Sequence, residues 1–206
     1  FAECRQITEI PENLFKNNVK VTSFQGTFRN TKITEIPENL FSNNTEVVEF
    51  GNIGSVGWGG TFCGCAGIKE IPENLFANNI KAQRFGGVFR QTSITKIPQN
   101  LFKNNIEAKS FEATFHGTPL VEIPANLFDN NVNVESFHPV FAYDSSIKAI
   151  PQDLFKYNTK ANTFGSAFGG CNGIKEIPSN LFDNNTEVTS FTNTFSGCRN
   201  LTTIPT

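Results

Sequence analysis

The chain has 206 residues, with 17 Lys and Arg against 19 Asp and Glu and a formal net charge of −2. That balance leaves no clustered basic footprint for nucleic acid, and no apolar run is long enough to cross a membrane. Phenylalanine occurs 22 times, and its regular placement, not any catalytic motif, organises the sequence.

Isoleucine-proline pairs begin at Ile10, Ile36, Ile71, Ile97, Ile123, Ile150, Ile177 and Ile204, so the spacings are 26, 35, 26, 26, 27, 27 and 27 residues. A fixed period in this range marks a solenoid, which grows by stacking and needs no boundary between units. We therefore expect a single solenoid over residues 1–206, built of about seven units of 26–27 residues. Phe1, Cys4 and Ile7 align with Phe168, Cys171 and Ile174, so the chain starts in mid-repeat, and it ends just after another isoleucine-proline pair. Solenoids need polar caps over their terminal cores, and a segment of a longer protein is the expectation.

In chain order, the units repeat the same elements. Pro11 and its equivalents suit the first turn of a short helix, which the following Asn-Leu-Phe continues. The closing Asn recurs as Asn18, Asn44, Asn79, Asn105, Asn131, Asn158 and Asn185, and a left-handed conformation there would end the turn. Val19-Lys20-Val21 then alternates with period two, as a short strand-like crossing does. Ser23 and its counterparts precede two Phe spaced by four residues, which predicts a capped helical turn with both rings on one face. A segment such as 33–36 follows, and the proline after it pushes Ile36 into an extended conformation, as at a strand end. The three Phe columns this produces, typified by Phe102, Phe111 and Phe115, are the expected core.

Two features depart from the period. The unit between Ile36 and Ile71 carries an insertion at about 51–60, rich in glycine and holding Trp58, the chain's one Trp. Insertions in repeats map to loops on one face, often the binding face. A small-residue column holds Cys4, Thr31, Cys65, Thr92, Thr118, Asp144, Cys171 and Cys198, with Thr wherever the loop to the next apolar residue is one shorter. Hydrogen bonding to nearby backbone is the expected role of this column, and its spacings match no zinc pattern. A Cys171–Cys198 disulfide between adjacent layers is the alternative, and the role of Cys63 stays open.

Little in the chain points to catalysis. The Gly-rich insertion lacks the Lys of a phosphate loop, and neither G-x-S-x-G nor H-E-x-x-H occurs. His116 and His138 read as loop or surface residues, and the sequons at Asn43, Asn184 and Asn200 are inexpensive matches in an Asn-rich chain. The positions between paired isoleucines point outward and form two ladders. These include Thr34-Glu35, Lys69-Glu70 and Thr95-Lys96, which read either as a solvated face or as a recognition surface.

The run Val188-Thr189-Ser190-Phe191, continued by Thr194-Phe195, Cys198, Leu201 and Ile204-Pro205, resembles the repeat of BspA-like leucine-rich proteins. Units of that bacterial surface type read V-T-x-M/F-x-x-M/F-F-x-x-C-x-x-L. The likeness recurs in every unit, although Phe stands where Met is more usual and Pro follows the second Ile. It implies a right-handed leucine-rich-repeat solenoid of short parallel strands and short helical turns, secreted or surface-anchored, used for adhesion or protein binding. It implies no catalytic residue. The resulting expectation is a monomeric, non-catalytic extracellular or cell-surface module that binds a protein or glycan without cofactor or metal. Candidate ligand contacts are Trp58, Glu35, Glu70, Lys69 and Lys96. A structural spacer presenting another domain is the alternative, followed by the non-catalytic part of a larger secreted enzyme.

Overall fold

A computed structural model describes residues 1–52 and 59–205. Among them the only strands are β1 (Glu49–Gly51) and β2 (Arg84–Phe85), which pair in parallel. Isolated parallel bridges extend that line from Ser23 through Ser110, Ser136 and Thr163 to Ser190. The sheet-like pairing thus follows the Val-x-Val crossing and does not fall on 33–36. That segment is extended but bonds to its neighbours only intermittently, as in Thr34 N–H to Thr8 O at 3.3 Å and Val121 N–H to Thr95 O at 3.2 Å.

The expected helical turns are a different kind of turn. Each Pro-x-Asn-Leu-Phe stretch closes through bonds three residues apart, such as Leu101 N–H to Pro98 O and Asn105 N–H to Phe102 O. The Ser caps do form: Ser110 Oγ accepts from Glu112 N–H at 3.3 Å, and Thr163 Oγ1 accepts from Gly165 N–H at 3.1 Å. No helix follows them, because the residue two beyond the first Phe of the pair takes a positive φ at Gly26, Gly87, Ala113, Ser166 and Asn193. Left-handed backbone cannot continue a right-handed helix. The freed N–H groups bond sideways to the next layer, as in Gly87 N–H to Glu112 O at 2.7 Å and Phe89 N–H to Thr114 O at 3.0 Å.

The recurring Asn is not left-handed, contrary to the sequence expectation, since none of these positions has a positive φ. From Asn44 onward it is buried instead, at 0% exposure for Asn105, and works as a double donor. Asn105 Nδ2 reaches Phe76 O at 3.1 Å and Asn79 O at 2.9 Å in the preceding layer. Asn44, Asn79, Asn131, Asn158 and Asn185 repeat the pattern. Each of these turn carbonyls already accepts one backbone N–H and keeps a second lone pair, and an amide supplies two N–H groups from one side chain. The geometry leaves the Oδ1 atoms buried without a donor, a cost the two donated bonds offset.

The three Phe columns run through the interior as expected. Phe111 stacks on Phe85 at 5.4 Å and Phe137 at 6.1 Å, and meets Phe102 at 4.6 Å and Phe128 at 4.8 Å in tilted contacts. Such offset and inclined pairs are the favoured aromatic geometries. Backbones touch at Gly51 and Gly60: a methyl on either would overlap the carbonyl oxygen of Gly86 or Gly87.

The small-residue column bonds to backbone in two ways. Thr31 and Thr92 donate within their own unit, to Phe28 O and Phe89 O at 2.8 Å. Cysteines at the longer corners donate one layer back, Cys65 to Phe28 O at 2.9 Å, Cys171 to Phe141 O at 3.0 Å and Cys198 to Phe168 O at 3.1 Å. All five thiols are free, so Cys171 and Cys198 form no disulfide. Cys63 is buried, which pushes its thiol up to about 11.

Asp144 is the misfit in this column. Its Oδ1 accepts from Thr118 N–H at 2.6 Å and Thr118 Oγ1 at 3.1 Å, while Oδ2 is buried without a partner. Burial holds the carboxyl well above the usual carboxylate range. A group raised in the folded state stabilises fully below its unfolded value, about 3.9, and loses that contribution as pH rises through the folded value. Thr31 beside Cys65, at 3.4 Å, shows what the site would become with cysteine. Asp144→Cys should therefore gain about 1–3 kcal/mol at pH 7–8, the cost of an unsatisfied buried group, and flatten the alkaline side of a melting-temperature profile.

Candidate functional site

The segment 33–36 and its equivalents bury their outer isoleucines and expose the two residues between them. Glu35, Lys69, Glu70 and Lys96 are all exposed there. Three of them converge. A hollow of about 530 Å³ is lined by Glu35, Lys69 and Glu70 together with Thr34, Gly67 and Pro72. Among the described residues no backbone hydrogen bond links 34–36 to 69–71, and the hollow lies at that seam. Gly67 is required at its edge: a Cβ there would sit 2.6 Å from Ile33 O and 3.2 Å from the Thr34 methyl. The extra residue of the long corner passes only because this position has no side chain.

Among the described residues neither Glu35 nor Glu70 joins an ion pair; the pairs formed are Arg5–Glu3, Arg29–Glu3, Lys81–Glu46 and Arg84–Glu49. The hollow therefore offers two uncommitted carboxylates and an ammonium to a partner. Lys96 lies one layer on and does not line it. Trp58 falls outside the described residues.

Sequence reasoning missed a second set of outward columns. Beside the crossing runs Lys20, Glu46, Lys81, Glu107, Asn133, Lys160 and Glu187, where Lys81 Nζ meets Glu46 at 2.7 Å and Lys160 Nζ meets Asn133 Oδ1 at 2.6 Å. Next to it Ile80, Ile106 and Val132 stay about half exposed. Aligning the units on the buried Asn reveals both columns; reading only between the isoleucines does not. Sequence reasoning also left His116 and His138 as isolated loop residues, whereas both line one concavity with Tyr143 and Arg199. Among the described residues no three His, Cys, Asp or Glu side chains converge as a metal site requires. No helix among them is long and apolar enough to cross a membrane.

The model of the BspA-type leucine-rich-repeat region matches the chain in 6 copies, over residues 3–58 and 60–162. The chain belongs to that family. No curated protein matches it at significant similarity. Among solved structures, this BspA-type chain is similar to the leucine-rich-repeat ectodomain of the plant membrane receptor kinase GASSHO1/SCHENGEN3 from Arabidopsis thaliana, solved in complex with CASPARIAN STRIP INTEGRITY FACTOR 2. The TM-score is 0.55 at 13% identity, covering 88% of this chain and 19% of that one. The APL1 leucine-rich repeat domain follows at TM-score 0.48 and 13% identity, covering 64% and 30%. The functional domain of InlJ from Listeria monocytogenes gives 0.43 at 14% identity, covering 91% and 41%. Likeness at these identities shows the fold alone, and the BspA-type chain spans about a fifth of the plant ectodomain's length. Leucine-rich-repeat domains of this kind are generally non-catalytic protein-interaction modules.

Proposed function

We propose that this chain is a non-catalytic adhesion module, displayed outside the cell, that captures a protein or glycan ligand on the exposed Ile-x-x-Ile face. The observation that carries the reading is the hollow where Glu35, Lys69 and Glu70 meet. Its two carboxylates lack ion-pair partners among the described residues, and solenoids commonly bind through the extended surface that stacking creates. The family of the chain and its similarity to a receptor ectodomain support an extracellular setting.

The test is capture of extracellular-matrix proteins and glycans by the immobilised chain. Glu35→Lys combined with Glu70→Lys should weaken capture at least tenfold, about 1.4 kcal/mol. The melting point should barely move, because exposed substitutions stay within about 0.5 kcal/mol. Full capture by that variant would remove this face from consideration. If deleting whole units lowered cell attachment while purified ligand binding persisted, the chain would instead be a spacer.

A further inference from the structure

The concavity shared by His116, His138, Tyr143 and Arg199 measures about 530 Å³ and also takes in Asn172 and Gly170. Two departures from the repeat's residue types fall together in one of its layers. The first is Pro139, which occupies the column where Gly87 and Ser166 have positive φ; proline cannot follow them and has no N–H. Gly87 and Ser166 each donate that N–H to the next layer, to Glu112 O and Thr192 O. The carbonyl Pro139 leaves without such a donor is Gly165 O, and His138 Nδ1 takes it. A carbonyl only accepts, so Nδ1 carries a proton.

The second departure is Tyr143. The residue before the corner column is left-handed throughout, and it is Gly117 in the layer before and Gly170 in the layer after. Tyr143 adopts φ 65 with a bulky side chain, a strain on the order of 1–3 kcal/mol. Burial does not offset this, since the residue is 67% exposed. The ring lies beside Gly170, where an added Cβ would stand 2.9 Å from Tyr143 Cδ1, and its centroid is 5.2 Å from that of His116. No carboxylate lines the concavity. Among the described residues Arg199 makes no ion pair, and Asn172 Oδ1 is held by Arg199 N–H at 3.2 Å.

We propose that this concavity is a subsite for a carboxylated sugar, a uronic-acid unit of an acidic polysaccharide. An exposed aromatic ring over a glycine floor gives a flat apolar platform for one face of a pyranose. Arg199 supplies a forked donor for the carboxylate, and Asn172 Nδ2 supplies donors for hydroxyls. The exposed Tyr143 ring separates this ligand from an acidic peptide. A pyranose lays a flat apolar face on the ring while its carboxylate meets Arg199, whereas an extended acidic peptide has no such face to offer. The site lies apart from the Glu35–Lys69–Glu70 hollow and does not depend on it.

The experiment is calorimetric titration of the whole chain with an oligogalacturonate of about four units, its carboxyl-reduced counterpart and an oligoglutamate of equal charge, at one ionic strength. The oligogalacturonate should bind at least tenfold more tightly than either of the others. Tyr143→Gly and Arg199→Ala should each weaken it tenfold or more. Tyr143→Gly should keep or raise the melting temperature, because glycine is at home in that column, so lost binding could not be assigned to lost folding. The pair Glu35→Lys and Glu70→Lys should leave this titration unchanged, which separates its failure from failure of the adhesive face. Absence of binding by the folded chain, equal binding of the reduced sugar or the oligoglutamate, or full affinity in Tyr143→Gly would each overturn the assignment.

Discussion

Replacing Phe111 with alanine should cost about 3–5 kcal/mol, measured as the loss in unfolding free energy by denaturant titration. The ring is fully buried and touches Phe85, Phe102, Phe128 and Phe137, so truncation removes its own burial and opens a cavity facing four other rings. Layers on both sides are pinned by their own hydrogen bonds, which limits collapse into the void. Each aromatic contact adds roughly 0.5–1.5 kcal/mol beyond area burial, so Phe111→Leu should recover part of the loss but not all of it. The same truncation at Phe1, which is 54% exposed in the first layer, should cost far less. Equal losses at both positions would contradict the layered core.

Asn105→Asp should be at least as damaging, despite being nearly isosteric. The native amide donates to Phe76 O and Asn79 O. A carboxylate has no hydrogen to give either one and places negative oxygens against them. Phe76 O and Asn79 O each keep one backbone donor, Asn79 N–H and Ala82 N–H, so each lost second bond costs about 0.5–1.5 kcal/mol, and the uncompensated buried charge adds several more. Acidification should restore part of the stability, because a protonated carboxyl regains one donor. Asn104→Ala is the control: its Nδ2 also donates one layer back, to Ala77 O at 2.9 Å, but from an exposed position, where water can replace it. If Asn104→Ala and Asn105→Asp shifted the melting temperature equally, the buried ladder would not be what holds these turns together.

The columns were legible in the sequence because periodicity is a one-dimensional signal and burial follows it. Phe, Leu and Ile at fixed spacing can be nothing but a shared interior, and the outward pairs between isoleucines follow from the same alignment. The local conformations were not legible in the same way. Asn after a turn fits a left-handed cap and a lateral donor equally well, and only the second lone pairs that the neighbouring layer's Phe76 and Asn79 carbonyls present decide between them. Ser followed by two Phe spaced by four looked like a helical turn. The sideways bonds from Gly87 and Phe89 into the next layer decide otherwise, and a helix would have consumed those groups internally. Of the candidate contacts, Glu35, Lys69 and Glu70 meet because the long corner at Gly67 crowds the Ile33–Thr34 backbone, a three-dimensional fact. The groove of His138 and Tyr143 left a readable trace: Pro139 and Tyr143 fall at left-handed positions that glycine holds in several other units, Gly26 and Gly87 in one column and Gly64, Gly117, Gly170 and Gly197 in the other.

The asparagine bonds join each layer only to the one before it, and donor and acceptors occupy the same columns in every layer. Excising one unit, or copying one, therefore brings together two surfaces that already match. Gene duplication or recombination within such a tract would change the reach of the molecule without creating a junction that evolution must repair. Variants of this chain differing by whole units should fold alike, and length can drift while the Glu35–Lys69–Glu70 hollow stays with the units that carry it.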